Sequence, residues 1–164
     1  MQVSEILQAK GDRVIAVEPA TEVRDLAETL QRESIGAVLV RDRDGTMLGI
    51  VSERDIVRAI AEQGPESRSR SAADLMSRSV ITCRPDSSTE ELMEQMLSDH
   101  IRHLPVYDDS KLVGIVSIVD VVKGALTELR WREKALQQHL VTAAGWSTDD
   151  DRAGGHLTPG CLSA

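Results

Sequence analysis

Aromatic side chains are almost absent from this sequence of 164 residues: they make up 2% of it, and phenylalanine does not occur. Many proteins hold single-stranded nucleic acid by stacking its bases on aromatic rings, and this way of binding is hardly available here. Cysteine is also scarce, and Cys83 and Cys161 form neither a CxxC motif nor a spacing typical of metal ligands. We therefore expect no metal site, and this cysteine usage fits a reducing, cytoplasmic compartment.

Positive charge and long apolar runs are lacking as well. The sequence has 19 Lys and Arg residues against 27 Asp and Glu residues, and its formal net charge is -8. Such a field repels a polyanion, so we expect no nucleic-acid partner. No apolar run approaches the roughly 20 residues that span a bilayer, and the N-terminus lacks the basic and apolar regions of a secretory signal. The sequence therefore predicts no membrane insertion and a cytoplasmic location.

What the sequence does contain is an internal duplication. Gly49-Ile-Val-Ser-Glu-Arg-Asp-Ile-Val recurs, 65 residues later, as Gly114-Ile-Val-Ser-Ile-Val-Asp-Val-Val. Upstream, residues 15–35 match 81–101 at an offset of 66 residues, and residues 3–7 resemble 72–76 at an offset of 69. The offset changes only in polar turns and loops, where folds tolerate insertions. The duplication therefore predicts two copies of one folding unit.

Both copies predict the same order of elements, a short leading helix followed by a β-α-β-β-α unit. For the first copy we predict helices at 3–8, around 23–30 (capped by Thr21) and at 53–61, and extended segments at 14–17, 37–41 and 47–51. For the second copy we predict helices at 72–76, around 92–97 (capped by Ser88 or Thr89) and at 118–126, and extended segments at 80–83, 104–107 and 112–116. Each unit leaves one face of its sheet uncovered, so the predicted fold class is α+β with two units packed together.

The repeats also set the predicted domain boundaries. Residues 1–62 form the first repeat and residues 72–127 the second, and the polar stretch 63–71, which contains Gly-Pro, is the linker. Apolar residues spaced by four and three continue past the second repeat and predict a C-terminal helix over 128–145. The polar remainder, 146–164, predicts a disordered tail.

The β-α-β-β-α order, with Gly-hydrophobic-hydrophobic-Ser-x-x-Asp leading into the last helix of each copy, resembles a CBS domain. Two such units resemble a tandem CBS pair, or Bateman module, over residues 3–126. Ser52-Glu-Arg-Asp55 and Ile101-Arg-His-Leu-Pro-Val106 are similar to stretches of small stand-alone bacterial CBS-pair signal-transduction proteins. The resemblance implies a regulatory protein that binds an adenine nucleotide between its repeats, forms a homodimer, and controls an enzyme, channel or transporter.

The repeated Ser-x-x-Asp motifs are the first candidate ligand contacts. Ser52 and Asp55 lie where a predicted strand turns into a helix, and Ser117 and Asp120 do so in the second copy. A helix N-terminus favours polar and anionic groups, and a carboxylate can accept two hydrogen bonds from a ribose diol. The resemblance implies that the Asp contacts the ribose and the Ser a nearby sugar or phosphate oxygen. The alternative is a capping box, in which these side chains only satisfy helix N–H groups.

Basic residues near the second hairpin are candidates for phosphate contact. Arg102 and His103 begin its first strand, at the positions that Gly36 and Ala37 occupy in the first copy. The resemblance implies that Arg102 and His103 meet phosphates, and Arg54 is a further candidate. The alternative is that both arginines are exposed surface residues and His103 a hydrogen-bonded cleft residue. Because the arginines have no basic counterpart in the other copy, we expect chemically unequal clefts, one binding better than the other.

The nucleotide base is expected to lie against Val14 and Ile15, or against Val80 and Ile81, with backbone groups of these segments contacting the adenine edge as in the family. The alternative for each side chain is simple strand core. The ligands implied by the resemblance are AMP, ADP, ATP or NAD(H), with S-adenosylmethionine ranked behind them, and no catalytic cofactor is expected.

The sequence as a whole predicts a non-catalytic sensor that couples nucleotide binding in the inter-repeat cleft to a conformational or oligomeric change. It contains no Gly-x-Ser-x-Gly, Walker A, HExxH or Rossmann glycine motif. The candidate Ser and Asp sites duplicate one another rather than divide into nucleophile and base, so we do not expect an enzyme. The alternative is a protein-interaction or dimerisation module that has no ligand.

Overall fold

The structure, a computed structural model, describes residues 1–143, and the side chains of residues 1–139. Its α-helices are α1 (Val3–Lys10), α2 (Val23–Glu33), α3 (Glu53–Gln63), α4 (Ala72–Leu75), α5 (Thr89–Ser98) and α6 (Ile118–Ala143). Its strands are β1 (Ala16–Val17), β2 (Ala37–Arg41), β3 (Met47–Ser52), β4 (His103–Asp108) and β5 (Lys111–Ser117). The described chain divides into two units, Met1–Ala125 and the part of α6 that begins at Leu126. The tail predicted at 146–164 lies outside the described residues.

The two sheets confirm the duplication and the predicted α+β class. In the first sheet β1 is parallel to β2, which is antiparallel to β3, and Val17 pairs with Val40. In the second sheet β4 is antiparallel to β5, and Cys83 forms a parallel bridge to Val106 at the equivalent position. The backbone thus repeats its pairing register as well as its sequence.

The extended segment that leads into each repeat is shorter than predicted. Segment 14–17 forms a strand only at Ala16–Val17, and segment 80–83 forms only the bridge at Cys83. In the first repeat the Leu39 N–H donates a hydrogen bond to the Ile15 carbonyl at 3.2 Å. Pro105 occupies the position equivalent to Leu39, and because proline has no N–H this rung of the ladder cannot form in the second repeat.

The leading helices are exchanged between the repeats. Val3 and Ile6 of α1 are buried in the core of the second repeat, whereas Ala72 and Met76, at and just after α4, are buried in the core of the first. Backbone bonds repeat the exchange: the Ser4 N–H donates to the Pro85 carbonyl at 2.8 Å, and the Ala73 N–H to the Pro19 carbonyl at 3.0 Å. Each hydrophobic core is therefore completed by a helix from the other sequence repeat.

Two equivalent glycines permit this exchange. A Cβ atom at Gly49 would lie 2.7 Å from the Ser77 carbonyl oxygen, and one at Gly114 would lie 2.7 Å from Leu7 Cδ2. Both distances are too short for a real Cβ atom. The first Gly of each repeated motif is therefore required by the close approach of the exchanged helix to β3 or β5.

The structure corrects one predicted helix cap, confirms another and shows the form of the linker. Helix α2 begins one residue later than a Thr21 cap implies: its N-cap is Glu22, and the Thr21 carbonyl instead accepts a hydrogen bond from the Ala72 N–H. Helix α5 does begin after one of the two predicted caps, Ser88. Within the polar linker, Gly64–Ser69 forms a 3-10 helix whose Ser67 is buried and donates to the Gly64 carbonyl.

The longest described helix, α6, has 26 residues, and charged side chains along it break up its apolar surface. Among the described residues, no helix combines the length and the apolar character needed to cross a bilayer.

Candidate functional site

Two clefts lie between the repeats, and each is lined by residues of both. The first cleft has a volume of about 250 Å³. Its lining consists of Ile50, Ser52, Arg54, Asp55 and Arg58 of the first repeat and of Ser77, Ser79, Val80, Ile81, His100, Ile101, Arg102 and His103. The second cleft has a volume of about 460 Å³. Its lining consists of Lys10, Arg13, Ile15, Ser34, Ile35, Gly36, Ala37, Glu53, Arg102, His103, Ile115, Ser117, Ile118, Val119 and Asp120.

The two clefts are built from equivalent positions. In the first, the Ser52-x-x-Asp55 motif of one repeat faces Ile81 of the other; in the second, Ser117-x-x-Asp120 faces Ile15. Almost all of the sequence-predicted site residues are brought together in this way. Val14 is the exception, since it lines neither of these two clefts.

The Ser-x-x-Asp motifs adopt the capping-box geometry that was the alternative to ligand contact. Asp55 Oδ2 accepts hydrogen bonds from the Ser52 N–H at 2.8 Å and from Ser52 Oγ at 2.7 Å. Asp120 Oδ2 accepts the equivalent bonds from Ser117, both at 2.8 Å. These bonds fix one carboxylate oxygen at the start of α3 or α6 and orient the carboxylate within the cleft. A cap and a ligand contact are therefore compatible at this position.

Asp120 has an additional partner that Asp55 does not have. Lys10 Nζ lies 2.7 Å from Asp120 Oδ2, and the two side chains are 32% and 19% exposed. Partial burial opposes ionisation of Asp120, but the hydrogen bonds from Lys10 and Ser117 outweigh it and hold the pKa of Asp120 below its ordinary value. In the first cleft the nearest described cation, Arg58, is 3.9 Å from Asp55 Oδ1, beyond hydrogen-bond distance.

The partition between the clefts is formed by Arg102 and His103, which line both. A Cβ atom on Gly36 would lie 3.1 Å from the imidazole of His103, so the small residue at this position leaves room for the ring. Burial lowers the pKa of His103 from 6.5 to about 4. The positive charge of Arg102 adds to this effect, and the negative charge of Asp120 opposes it. The imidazole is therefore neutral at pH 7, and it can both donate and accept a hydrogen bond.

Arg54 is held near the cleft by a hydrogen bond from its guanidinium, and Arg102 by a bond to its backbone carbonyl. Arg54 Nη1 donates to the His100 carbonyl at 3.2 Å, which joins α3 to the loop before β4. The Arg102 carbonyl accepts a bond from the Ile118 N–H at 2.9 Å, so the residue lies at the first turn of α6. The Gly36 carbonyl makes the equivalent bond to the Glu53 N–H at 3.1 Å.

Both clefts are more basic than the rest of this acidic chain. In the first, three arginines (Arg54, Arg58, Arg102) surround Asp55. In the second, the cations are Lys10, Arg13 and Arg102 and the carboxylates are Glu53 and Asp120. A local excess of cations inside a concave site attracts anionic groups such as phosphate.

Lys10 and Arg13 were missed by sequence reasoning. They lie at the polar loop around Lys10-Gly11-Asp12, where the first repeat has three more residues than the second, and α1 has eight residues where α4 has four. Residues of an insertion have no matched position in the other repeat, so the duplication gives no information about them. The only sequence indication of these residues is that the two repeats align at an offset of 69 residues before the loop and 66 after it.

Cys83, which matches Val17 in the duplication, lies in the second core, and burial raises the pKa of its thiol to about 12. Across the part of the chain that the structure describes, no group of three or more His, Cys, Asp or Glu side chains is arranged to hold a metal ion.

Comparison with known proteins identifies both repeats as members of one domain family. The CBS domain profile matches residues 3–62 and 72–126. The chain is 32% identical over 122 residues to a mitochondrial CBS domain-containing protein, CBSX3, of Arabidopsis thaliana, a match that covers 72% of this chain and 59% of the relative. The chain therefore spans less than two thirds of that relative's length.

Solved structures match over nearly their whole length. The CBS-domain protein ATU1752 of Agrobacterium tumefaciens is 42% identical, with a TM-score of 0.75 and coverage of 76% of this chain and 99% of that one. The protein PAE2072 of Pyrobaculum aerophilum, solved with AMP, is 28% identical, with a TM-score of 0.64 and coverage of 73% and 89%. The CBS pair of MJ0100, solved with 5-methylthioadenosine and S-adenosyl-L-methionine, is 25% identical, with a TM-score of 0.68 and coverage of 78% and 98%.

Proposed function

This chain belongs to the CBS domain family and carries the domain twice, and from that premise we propose that it is a non-catalytic regulatory module that binds an adenine nucleotide between its repeats. The observation that carries the proposal is the crossed construction of the clefts. Each cleft combines an oriented carboxylate from one repeat with an aliphatic extended segment of the other and with an excess of cations.

Each part of a nucleotide has a counterpart in the first cleft. Asp55 offers a carboxylate to the ribose hydroxyls, and Ile81, with Val80, offers an apolar surface to the base. Arg102 and His103 supply donors to phosphate oxygens, and Arg54 adds a second guanidinium. Because Pro105 cannot donate to it, the Ile81 carbonyl is available to accept a hydrogen bond from an adenine amino group.

In the second cleft, Asp120, Ser117 and Ile15 take the equivalent roles, beside the small residues Gly36 and Ala37. We propose AMP, ADP, ATP or NAD(H) as ligands, ahead of S-adenosylmethionine, because phosphate uses the cations that line both clefts. Two structural relatives were solved with adenine-containing ligands, which supports the adenine class.

The regulatory output is proposed to be a population shift. A nucleotide that contacts both repeats stabilises the arrangement of the module that it binds best, and other arrangements become less populated. Helix α6 begins directly after Ser117 in the second cleft and continues to Ala143. It is the proposed readout toward a regulated enzyme or transporter.

Substitution of the cleft carboxylates tests the proposal. A thermal-shift panel of AMP, ADP, ATP, NAD, NADH and S-adenosylmethionine is expected to contain at least one ligand that raises the melting temperature. Asp55→Ala or Asp120→Ala removes hydrogen bonds between a charged acceptor and the ribose, so the affinity of the corresponding cleft should fall about 10- to 150-fold. Titration calorimetry measures this loss.

The chain offers a matched control for the lost helix cap. Asp74 Oδ2 accepts bonds from the Ser71 N–H at 2.9 Å and from Ser71 Oγ at 2.7 Å, the same capping box at the start of α4. Asp74→Ala should therefore reproduce any loss of cap stability and leave nucleotide affinity unchanged. If no ligand shifts the melting temperature, the ligand-free interaction module becomes the preferred function.

We further propose that two copies of the chain form a homodimer through helices α3 and α6. Val57 and Ile60 of α3 are 65% and 52% exposed, and Val119 and Val122 of α6 are 56% and 40% exposed. Val57 and Val122 occupy equivalent positions in the two repeats. Exposed apolar side chains that recur in this way fit a symmetric interface.

Sedimentation equilibrium tests the dimer. The double variant Val57→Ser/Val122→Ser should raise the dissociation constant of the dimer about tenfold or more, because two valine contacts of the proposed interface are lost. Leu97→Ser, which changes an equally exposed residue on α5, is the control and should leave the dimer intact. A monomeric unmodified chain, or equal effects of both changes, would contradict this interface.

A further inference from the structure

We propose that Lys10 is a specificity-determining residue of the second cleft, and that it makes this cleft select ligands that carry a phosphate over uncharged nucleosides. The inference rests on the proposed nucleotide-binding function and extends it to the ligand class of one cleft. It starts from the ion pair between Lys10 and Asp120, at 2.7 Å, inside the cavity that the ligand would occupy.

The carboxylate of Asp120 is already engaged. Its Oδ2 receives three donors: Lys10 Nζ, the Ser117 N–H and Ser117 Oγ. A carboxylate oxygen has about two lone-pair sites, so three donors already crowd this oxygen, and a ribose hydroxyl would be a fourth while Lys10 is in place. A diol that contacts both oxygens of Asp120 must therefore displace the ammonium group.

Displacement leaves a cation without its partner in a basic cleft. The Lys10 side chain is 32% exposed. Arg102 and Arg13 line the same cavity with Glu53, and Arg13 is paired with Glu33 at 2.9 Å. Separating a partly buried ion pair is unfavourable unless a new counter-charge replaces the old one. A ligand with a phosphate supplies that counter-charge, and the released ammonium group can bind it; a nucleoside has only its hydroxyls to offer.

The first cleft has no equivalent device. Asp55 Oδ2 receives two donors, both from Ser52, and Arg58 stays 3.9 Å from Asp55 Oδ1. The difference arises from the longer α1 helix, whose last residue is Lys10, whereas α4 ends at Leu75. The selectivity is thus expected in the second cleft alone.

Titration calorimetry with AMP and adenosine tests the inference in chains that carry Asp55→Ala, which should weaken the first cleft about 10- to 150-fold, so that the second cleft dominates the signal. With Lys10 present, AMP should bind about tenfold or more tightly than adenosine. Adding Lys10→Met should weaken AMP and leave adenosine binding equal or tighter, so that the ratio falls about tenfold or more. Lys10→Arg keeps the charge and should keep the preference.

The outcomes separate this inference from the proposed function. An unchanged ratio in a folded Lys10→Met chain, or equal weakening of both ligands, would overturn the role of Lys10, because a merely structural residue acts on both ligands alike. Binding of AMP by the unmodified chain but not by the Asp55→Ala chain would overturn it too, and would leave nucleotide binding in the first cleft standing. Failure of the unmodified chain to bind either ligand would instead remove the proposed function itself.

Discussion

Replacement of Ile6 by alanine is expected to lower the free energy of unfolding by about 2–5 kcal/mol, the range for removal of most of a buried isoleucine, leucine or methionine side chain. Ile6 is 6% exposed and belongs to the core of the second repeat, together with Leu104, Val116 and Val121, although its helix lies in the first sequence repeat. Urea denaturation followed by circular dichroism measures the change.

A substitution on the opposite side of the same helix is the control. Gln8 is exposed, so Gln8→Ala should change the free energy of unfolding by no more than about 0.5 kcal/mol. Hydrogen exchange adds a test of location, because the Ile6→Ala chain should lose amide protection at Leu104 and Val116. If Ile6→Ala were as mild as Gln8→Ala, α1 could not be part of the second core.

Acidification from pH 7 to pH 4 is expected to destabilise the ligand-free chain by about 3 kcal/mol through His103 alone. The folded pKa of His103 is about 4, below its ordinary value of 6.5. Between these values the unfolded chain binds a proton that the folded chain does not, so stability is lost as the pH falls through this window. Asp120, whose pKa lies below its ordinary 3.8, loses its contribution only at lower pH.

Unfolding free energies measured at several pH values for His103→Gln isolate this effect. The variant cannot titrate, so its stability should be nearly flat between about pH 6.5 and pH 4 apart from the onset of carboxylate protonation. His139→Gln changes an exposed histidine of α6 and should retain the full dependence of the unmodified chain. Equal pH profiles for His103→Gln and the unmodified chain would show that the imidazole charges freely in the folded state.

Repetition made the elements of the fold predictable, but it left the partner of each leading helix open. Residues 3–7 and 72–76 are equivalent, and both carry apolar residues that suit either core. The pattern of hydrophobic residues says that a helix face is buried, and it does not say against which sheet. The glycines of β3 and β5 permit the close approach, since Ser77 and Leu7 leave no space for a larger residue, but they are equivalent too and do not distinguish the two cores.

The site was predictable to the same extent as the repeat. The Ser-x-x-Asp motif was recognisable because it occurs once in each repeat, as Ser52 with Asp55 and as Ser117 with Asp120. The structure places both pairs in clefts. Lys10 has no repeated counterpart, and it reaches Asp120, 110 positions away, only because α1 packs on the second repeat. A contact of that separation depends on tertiary structure and leaves no local pattern.

The exchanged helices also impose an order on synthesis. A chain emerges from the ribosome N-terminus first, so α1 is made early, but its packing partners Val116 and Val121 are among the last residues of the module to appear. The first core in turn waits for Ala72 and Met76, which are made after the linker. Neither repeat can finish folding while the other is missing. The first core can close once Met76 has emerged, but the second core closes only after Val121, near the end of the module, and until then the apolar face of α1 is open to chaperones.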